Sequence, residues 1–169
     1  MLELKPLSQE AVPRSVARAE RYRLLNEPQE AESICRDVLR TDPDHQEALV
    51  MLLLALTDQF GRRSDITINQ ARTVLGRLHG EYERVYYDGV ISERWGKAQL
   101  RMGALGHVAH DWLHEAMSLY EKAEKLSPTG NEDAILRWNA CVRILESDTR
   151  LQPRVEESNE AGFSDEPPV

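Results

Sequence analysis

The chain has 169 residues, 30% of them charged, and its formal net charge is −8 at pH 7. This acidic balance disfavours binding to nucleic acid or to anionic membranes, because both require clustered Lys and Arg. The longest apolar run, Ala48 to Leu56, has nine residues, whereas a membrane-spanning helix needs roughly 20. No secretory signal is indicated at the start, so we expect a cytoplasmic protein.

Apolar residues recur at helical spacing in seven segments, which predicts an all-α fold with about seven helices. Pro13 and Pro28 each suit the first turn of a helix. The third segment is nearly all leucine and alanine, which predicts a helix buried at the centre of the core. The predicted helices run from Pro13 up to Asn26, from Pro28 to the TDPD segment at Thr41, from Gln46 to Gln59, from Ile68 to Leu78, from Glu81 to Met102, from Ala109 to Lys125 and from Glu132 to Glu146.

The composition changes near the end of the chain. Residues 1–149 are predicted to form one helical domain, and residues 150–169 a disordered acidic tail containing prolines. Two interpretations of this tail stay open. It is either a simple solvated segment, or Phe163 and its acidic neighbours dock on a partner or on the domain's own groove.

One pattern of four residues occurs twice, 85 positions apart. A small residue is followed one turn later by a larger apolar residue, then by another apolar residue and by a proline just past the helix end. This pattern is typical of the second helix of a helical hairpin. The two copies are Ala31, Cys35, Val38 and Pro43, and Ala116, Tyr120, Ala123 and Pro128; Ala71, Leu75 and Leu78 repeat the first three positions without the proline.

These positions resemble the tetratricopeptide repeat, in about three degenerate units between Val12 and Ile144. The resemblance implies helical hairpins stacked into a right-handed solenoid, with a last helix containing Trp138 that caps the final hairpin. It also implies a protein-interaction adaptor that binds a partner peptide or helix in a concave groove lined by the first helix of each hairpin. Since Val16 and Glu20 stand where carboxylate-binding members carry Lys, Asn or Arg, a receptor for chaperone tails is not expected.

The groove positions supply the residues that we predict to bind a partner: Glu20, Arg23, Glu47, Val50, Leu54 and Asp58, with Val16 beside them. An apolar floor with acidic edges favours a partner with a basic or amphipathic segment. The alternative is that these are ordinary solvated and core residues. Self-association through the end hairpins is a second possible function.

Candidate chemistry is sparse, and we expect neither an enzyme nor a cofactor. Cys35 and Cys141 fall on apolar helix positions and are predicted to be buried thiols. The histidines at 107, 110 and 114 could face one metal ion if a single helix covers them, although a solvated or packed set is the simpler interpretation. A group of aromatic residues in the fifth helix is either core packing or an exposed interaction site; it comprises Tyr82, Tyr86, Tyr87 and Trp95.

Overall fold

The computed structural model describes residues 2–154, which form seven α-helices and contain no β-strand. The predicted all-α class and number of helices are therefore confirmed. A short 3-10 turn, Gln9–Ala11, precedes the first α-helix. The helices are α1 (Val12–Leu24), α2 (Pro28–Thr41), α3 (Gln46–Asp58), α4 (Ile68–Leu75), α5 (Glu81–Arg101), α6 (Gly106–Leu126) and α7 (Asp133–Ser147).

The start of α6 lies earlier than predicted, at Gly106 instead of Ala109. Gly106 is therefore not a break before the helix but its first residue, and it permits a close approach of the backbone. A Cβ atom on Gly106 would lie 1.7 Å from the carbonyl oxygen of Arg150. The chain after α7 therefore passes directly over the first turn of α6.

Two core clusters of buried side chains lie along the molecule. The first contains residues of α1 to α4 together with Ile91 and Ala98 of α5. Its centre is α3, which contacts α1, α2, α4 and α5 and buries Leu49 and Leu53 completely. The position predicted for this leucine-rich helix is therefore correct. Its burial on most sides fits the apolar run from Ala48 to Leu56, which contains no polar side chain.

The second core cluster joins α5, α6 and α7, with Val90, Leu113 and Tyr120 among its buried residues. Gly89 allows α5 and α6 to approach closely, since a Cβ atom there would lie 2.6 Å from the Tyr120 ring. Leu54 packs against both clusters and so connects them.

The folded part of the chain extends beyond the predicted domain end at residue 149. Leu151 is only 2% exposed and belongs to the second core cluster. The predicted tail therefore begins too early, because the segment that crosses Gly106 carries an apolar side chain into the core. The prediction of disorder for the rest of the tail concerns residues 155–169, which lie outside the described residues.

Consecutive helices pack on each other, and alternate helices also touch: α1 contacts α3, and α3 contacts α5. The helices α1, α3 and α5 therefore lie side by side. Among the helices of residues 2–154, none has both the length and the apolar character that crossing a bilayer requires.

Removing a large side chain from the centre of α3 is expected to destabilise the fold. Leu53→Ala deletes three carbon atoms at a position with no exposed surface and should lower the free energy of unfolding by about 3 kcal/mol, the usual cost of such a cavity. Urea unfolding measures the change. Leu136→Ala, at a leucine of α7 that is 64% exposed, is the matched control and should be nearly neutral; equal losses would contradict this description of the core.

Candidate functional site

A hydrogen-bonded network centred on Asp58 of α3 joins α1, α3 and α5. Its carboxylate accepts a hydrogen bond from Nε of Arg23 in α1 at 2.6 Å and another from Nη1 of Arg94 in α5 at 2.6 Å. Arg94 also donates to Oγ1 of Thr57 at 2.7 Å and to the Leu54 carbonyl at 3.3 Å. Because these charged side chains are mostly shielded from water, the pairs hold three helices in register.

A second carboxylate, Glu93 of α5, is almost completely buried. It is 1% exposed and accepts a hydrogen bond from the Tyr120 hydroxyl at 2.6 Å. Lys97 also donates to it, and Nη1 of Arg137 in α7 lies 3.5 Å away. Burial alone would raise the pKa of Glu93, but Lys97, Tyr120 and Arg137 together lower that pKa below its ordinary value. Glu93 is therefore a carboxylate at neutral pH.

The two networks border one open cavity of about 310 Å³. We call its charged residues, together with Arg23, the odd-helix cluster: Arg23, Asp58, Glu93, Arg94, Lys97, Arg101 and Arg137. Five cationic side chains surround two carboxylates, which leaves a net charge of +3 in a chain whose net charge is −8. Such an arrangement attracts anionic groups.

The structure divides the predicted partner-binding residues among several places. Arg23 and Asp58 belong to the odd-helix cluster, and the carbonyl of Leu54 touches it. Glu47 and Val50 line a different cavity of about 410 Å³. The six predicted residues therefore do not form one continuous site.

Two of the predicted groove positions lie outside both cavities. Glu20 is exposed on α1. Val16 is only 3% exposed and belongs to the first core cluster. The expectation that Val16 lines the groove is wrong, because its position on α1 faces the neighbouring helices.

Most of the cations in the cluster were not predicted as site residues. Arg94, Lys97 and Arg101 stand three and four residues apart on α5, which places them on one helical face. That spacing was visible in the sequence. The contribution of Arg137 from α7 has no comparable signal, since it depends on how α7 packs against α5.

The aromatic group of α5 lies at the core clusters. Tyr82 and Tyr86 stack with ring centroids 5.6 Å apart, and Trp95 meets Phe60 edge to face at 5.1 Å. All are partly buried and pack against one or both core clusters, except Phe60, which is fully buried. These contacts favour the packing interpretation over an exposed interaction site.

The histidines of α6 do not converge on a metal position. His110 and His114 pack against each other with ring centroids 4.3 Å apart. Within residues 2–154, no group of three or more His, Cys, Asp or Glu side chains is placed to hold a metal ion. Cys35 and Cys141 are buried free thiols, as predicted, and burial raises the pKa of each to about 12.

No family model matches this sequence, and comparison with curated proteins and with solved structures found no match. The tetratricopeptide resemblance therefore stays a prediction that depends on the residues of this chain. The class defined by the described residues is an all-helical protein with a cationic cavity between alternate helices.

Tyr120→Phe is expected to destabilise the fold, because it removes the hydroxyl that donates to Glu93 while keeping the aromatic ring. The substitution deletes a hydrogen bond to a buried charge and should lower the free energy of unfolding by about 2 kcal/mol at pH 7. Because the folded state lowers the pKa of Glu93 from 4.5, the stability due to its ionisation is present above pH 4.5 and disappears as the pH falls through the folded-state value. In the variant the Glu93 charge contributes less stability, so protonating Glu93 costs the variant less. The difference in the free energy of unfolding between the variant and the natural chain should therefore become smaller in acid.

Urea unfolding at several pH values measures this effect. Tyr82→Phe is the matched control, because the Tyr82 hydroxyl donates to the neutral side chain of Asn131 at 3.3 Å. Its cost should be smaller and should not change between pH 7 and acid. A Tyr120→Phe effect independent of pH would contradict the proposed role of the Glu93 charge.

Proposed function

We propose that this chain is a protein-interaction module of the tetratricopeptide type, which binds an acidic segment of a partner at the odd-helix cluster. The observation that carries this proposal is the surplus of positive charge around the 310 Å³ cavity. The contacts of α1 with α3 and of α3 with α5 support it. In a stack of helical hairpins, the first helices would touch in this way and line the binding groove.

The cluster has hydrogen-bond donors available for a ligand, in particular those of Arg101. Arg101 is exposed, and its guanidinium donates to the Phe60 carbonyl at 3.2 Å. Within residues 2–154 it forms no salt bridge with a carboxylate. A guanidinium can bind a carboxylate through two parallel hydrogen bonds, and Arg is enriched where such recognition occurs. An Asp or Glu side chain of a partner therefore fits this edge of the cavity.

Preorganisation also supports a binding role. Arg23 and Arg94 are already held by Asp58, and Lys97 and Arg137 are held near Glu93. Side chains fixed before binding lose less conformational entropy when a ligand arrives. The cluster is therefore suited to recognition.

We also retain, as part of this proposal, the expectations that the protein is cytoplasmic and is not an enzyme.

The partner proposed here differs in charge from the basic or amphipathic segment that the sequence favoured. That prediction depended on the overall acidity and on groove carboxylates such as Glu20 and Glu47. Neither of these residues lines the cationic cavity. We base the partner's chemistry on the local charge because contacts within a Debye length, about 8 Å at physiological salt, dominate binding.

Reversing the charge of Arg101 tests the proposal. A fluorescent peptide of sequence Glu-Asp-Glu-Phe-Glu-Asp-Glu serves as the acidic probe, and its anisotropy is measured against the full chain. Arg101→Glu should weaken binding at least about tenfold, because one ion pair becomes a repulsion. Arg143→Glu is the matched control: Arg143 is an exposed arginine of α7 that lies outside the cavity, and its reversal should change the affinity less than twofold.

Salt provides a second check, since binding through ion pairs should fall steeply between low and high ionic strength. Equal losses for the two charge reversals would place the binding elsewhere. If the acidic probe peptide binds neither the natural chain nor a chain whose carboxylates at residues 155–169 are replaced by amides, the proposal is overturned.

Self-association is a second candidate function, favoured by large apolar side chains exposed on the first and last helices. Leu24 at the end of α1 is 76% exposed, and Leu136 of α7 is 64% exposed. Light scattering distinguishes the states. A mass of about twice 19.3 kDa that returns to 19.3 kDa with Leu24→Glu or Leu136→Glu would support self-association, and a single-chain mass throughout would exclude it under those conditions.

A further inference from the structure

We infer that the chain regulates its own binding site, with the acidic segment 155–169 as a competing occupant of the odd-helix cluster. This inference depends on the proposed function, because it assigns a regulator to the same cavity. It follows from the charge of the cavity, the position where the described chain ends and the composition of the residues beyond it.

The negative charge of this protein is unevenly distributed. Residues 155–169 contain five carboxylates and no Lys or Arg, so they carry five of the eight excess negative charges. The carboxylates are Glu156, Glu157, Glu160, Asp165 and Glu166. The odd-helix cluster carries the opposite sign, with a net charge of +3. The most acidic segment and the cationic cavity are therefore complementary.

The chain leaves the folded domain near this cavity. Leu151 is buried in the second core cluster, and the Arg150 carbonyl lies against Gly106 at the start of α6. Arg101, at the edge of the cavity, is five positions before Gly106, and such a stretch spans at most about 18 Å. A segment of 15 residues can reach up to about 50 Å. The segment is therefore long enough to reach every cation of the cluster.

The surface between the exit point and the cavity also carries apolar side chains. Met102 and Leu105 lie between Arg101 and Gly106 and are 51% and 69% exposed. The acidic segment contains one aromatic residue, Phe163. An acidic peptide with a single aromatic side chain matches, in both charge and hydrophobic character, a cationic cavity followed along the chain by exposed apolar side chains. Since the segment is tethered, its effective concentration at the cavity can reach the millimolar range.

The test removes the negative charge of the segment while keeping the full chain. In the neutralised chain, the five carboxylates of residues 155–169 are replaced by Gln or Asn. Its affinity for the acidic probe peptide should be about tenfold higher than that of the natural chain, because the internal competitor is lost. Introducing Arg101→Glu into the neutralised chain should remove this gain in affinity.

The matched control removes five exposed carboxylates elsewhere on the surface: Glu3, Glu10, Glu27, Glu30 and Glu124. It changes the net charge by the same amount, so a gain of the same size would overturn the inference and indicate a general charge effect. A synthetic peptide of residues 155–169 should also displace the probe from the neutralised chain.

The possible outcomes separate this inference from the proposed function. Equal probe affinity for the natural and neutralised chains would overturn self-occupancy while leaving the acidic-partner site intact. Failure of the probe to bind either chain would overturn the proposed function as well. If the suppression weakens on dilution of the natural chain, the segment occupies the cavity of a second copy, and the intramolecular inference is wrong.

Discussion

A buried carboxylate determines how the second half of this protein packs. Glu93 would be costly to bury alone, because an ion removed from water loses several kcal/mol of hydration. Tyr120 of α6 and Arg137 of α7 compensate that loss, together with Lys97 of α5 itself. Gly89, one turn earlier on α5, brings the Tyr120 ring close enough to make the hydrogen bond. A shift of α6 by one turn would remove the Tyr120 hydrogen bond from this buried charge, so the interaction favours a single register.

Asp58 acts similarly between α1, α3 and α5, where it accepts hydrogen bonds from Arg23 and Arg94. Removing one partner of such an ion pair would leave the other charge shielded from water without compensation, which is destabilising. These ion pairs also explain the charge of the cavity. Asp58 and Glu93 position four cations. With Arg101 as the fifth cation, the positive charge exceeds the negative charge, and this excess is the basis of the proposed recognition. Helix packing and the proposed recognition in this region therefore depend on the same side chains.

The helices could be predicted because helical periodicity is a local property, and the burial of α3 followed from its leucines. The site was only partly predictable. Arg23 and Asp58 were among the predicted residues and lie in the odd-helix cluster, whereas Val16 is buried in the core. Glu93 illustrates why the rest was missed: a glutamate four residues before a lysine has the pattern of a solvated pair. Only the packing of α6 and α7 buries it and gives it Tyr120 and Arg137 as partners.

Each core cluster contains one of the two buried cysteines. Cys35 belongs to the cluster of α1 to α4, and Cys141 to that of α5 to α7. Burial and a pKa of about 12 make both thiols unreactive while their surroundings stay closed. The rate at which a thiol reagent labels each cysteine therefore reports how often that part of the structure opens. The natural chain thus contains two independent probes of local unfolding, which can show whether its halves open together or separately.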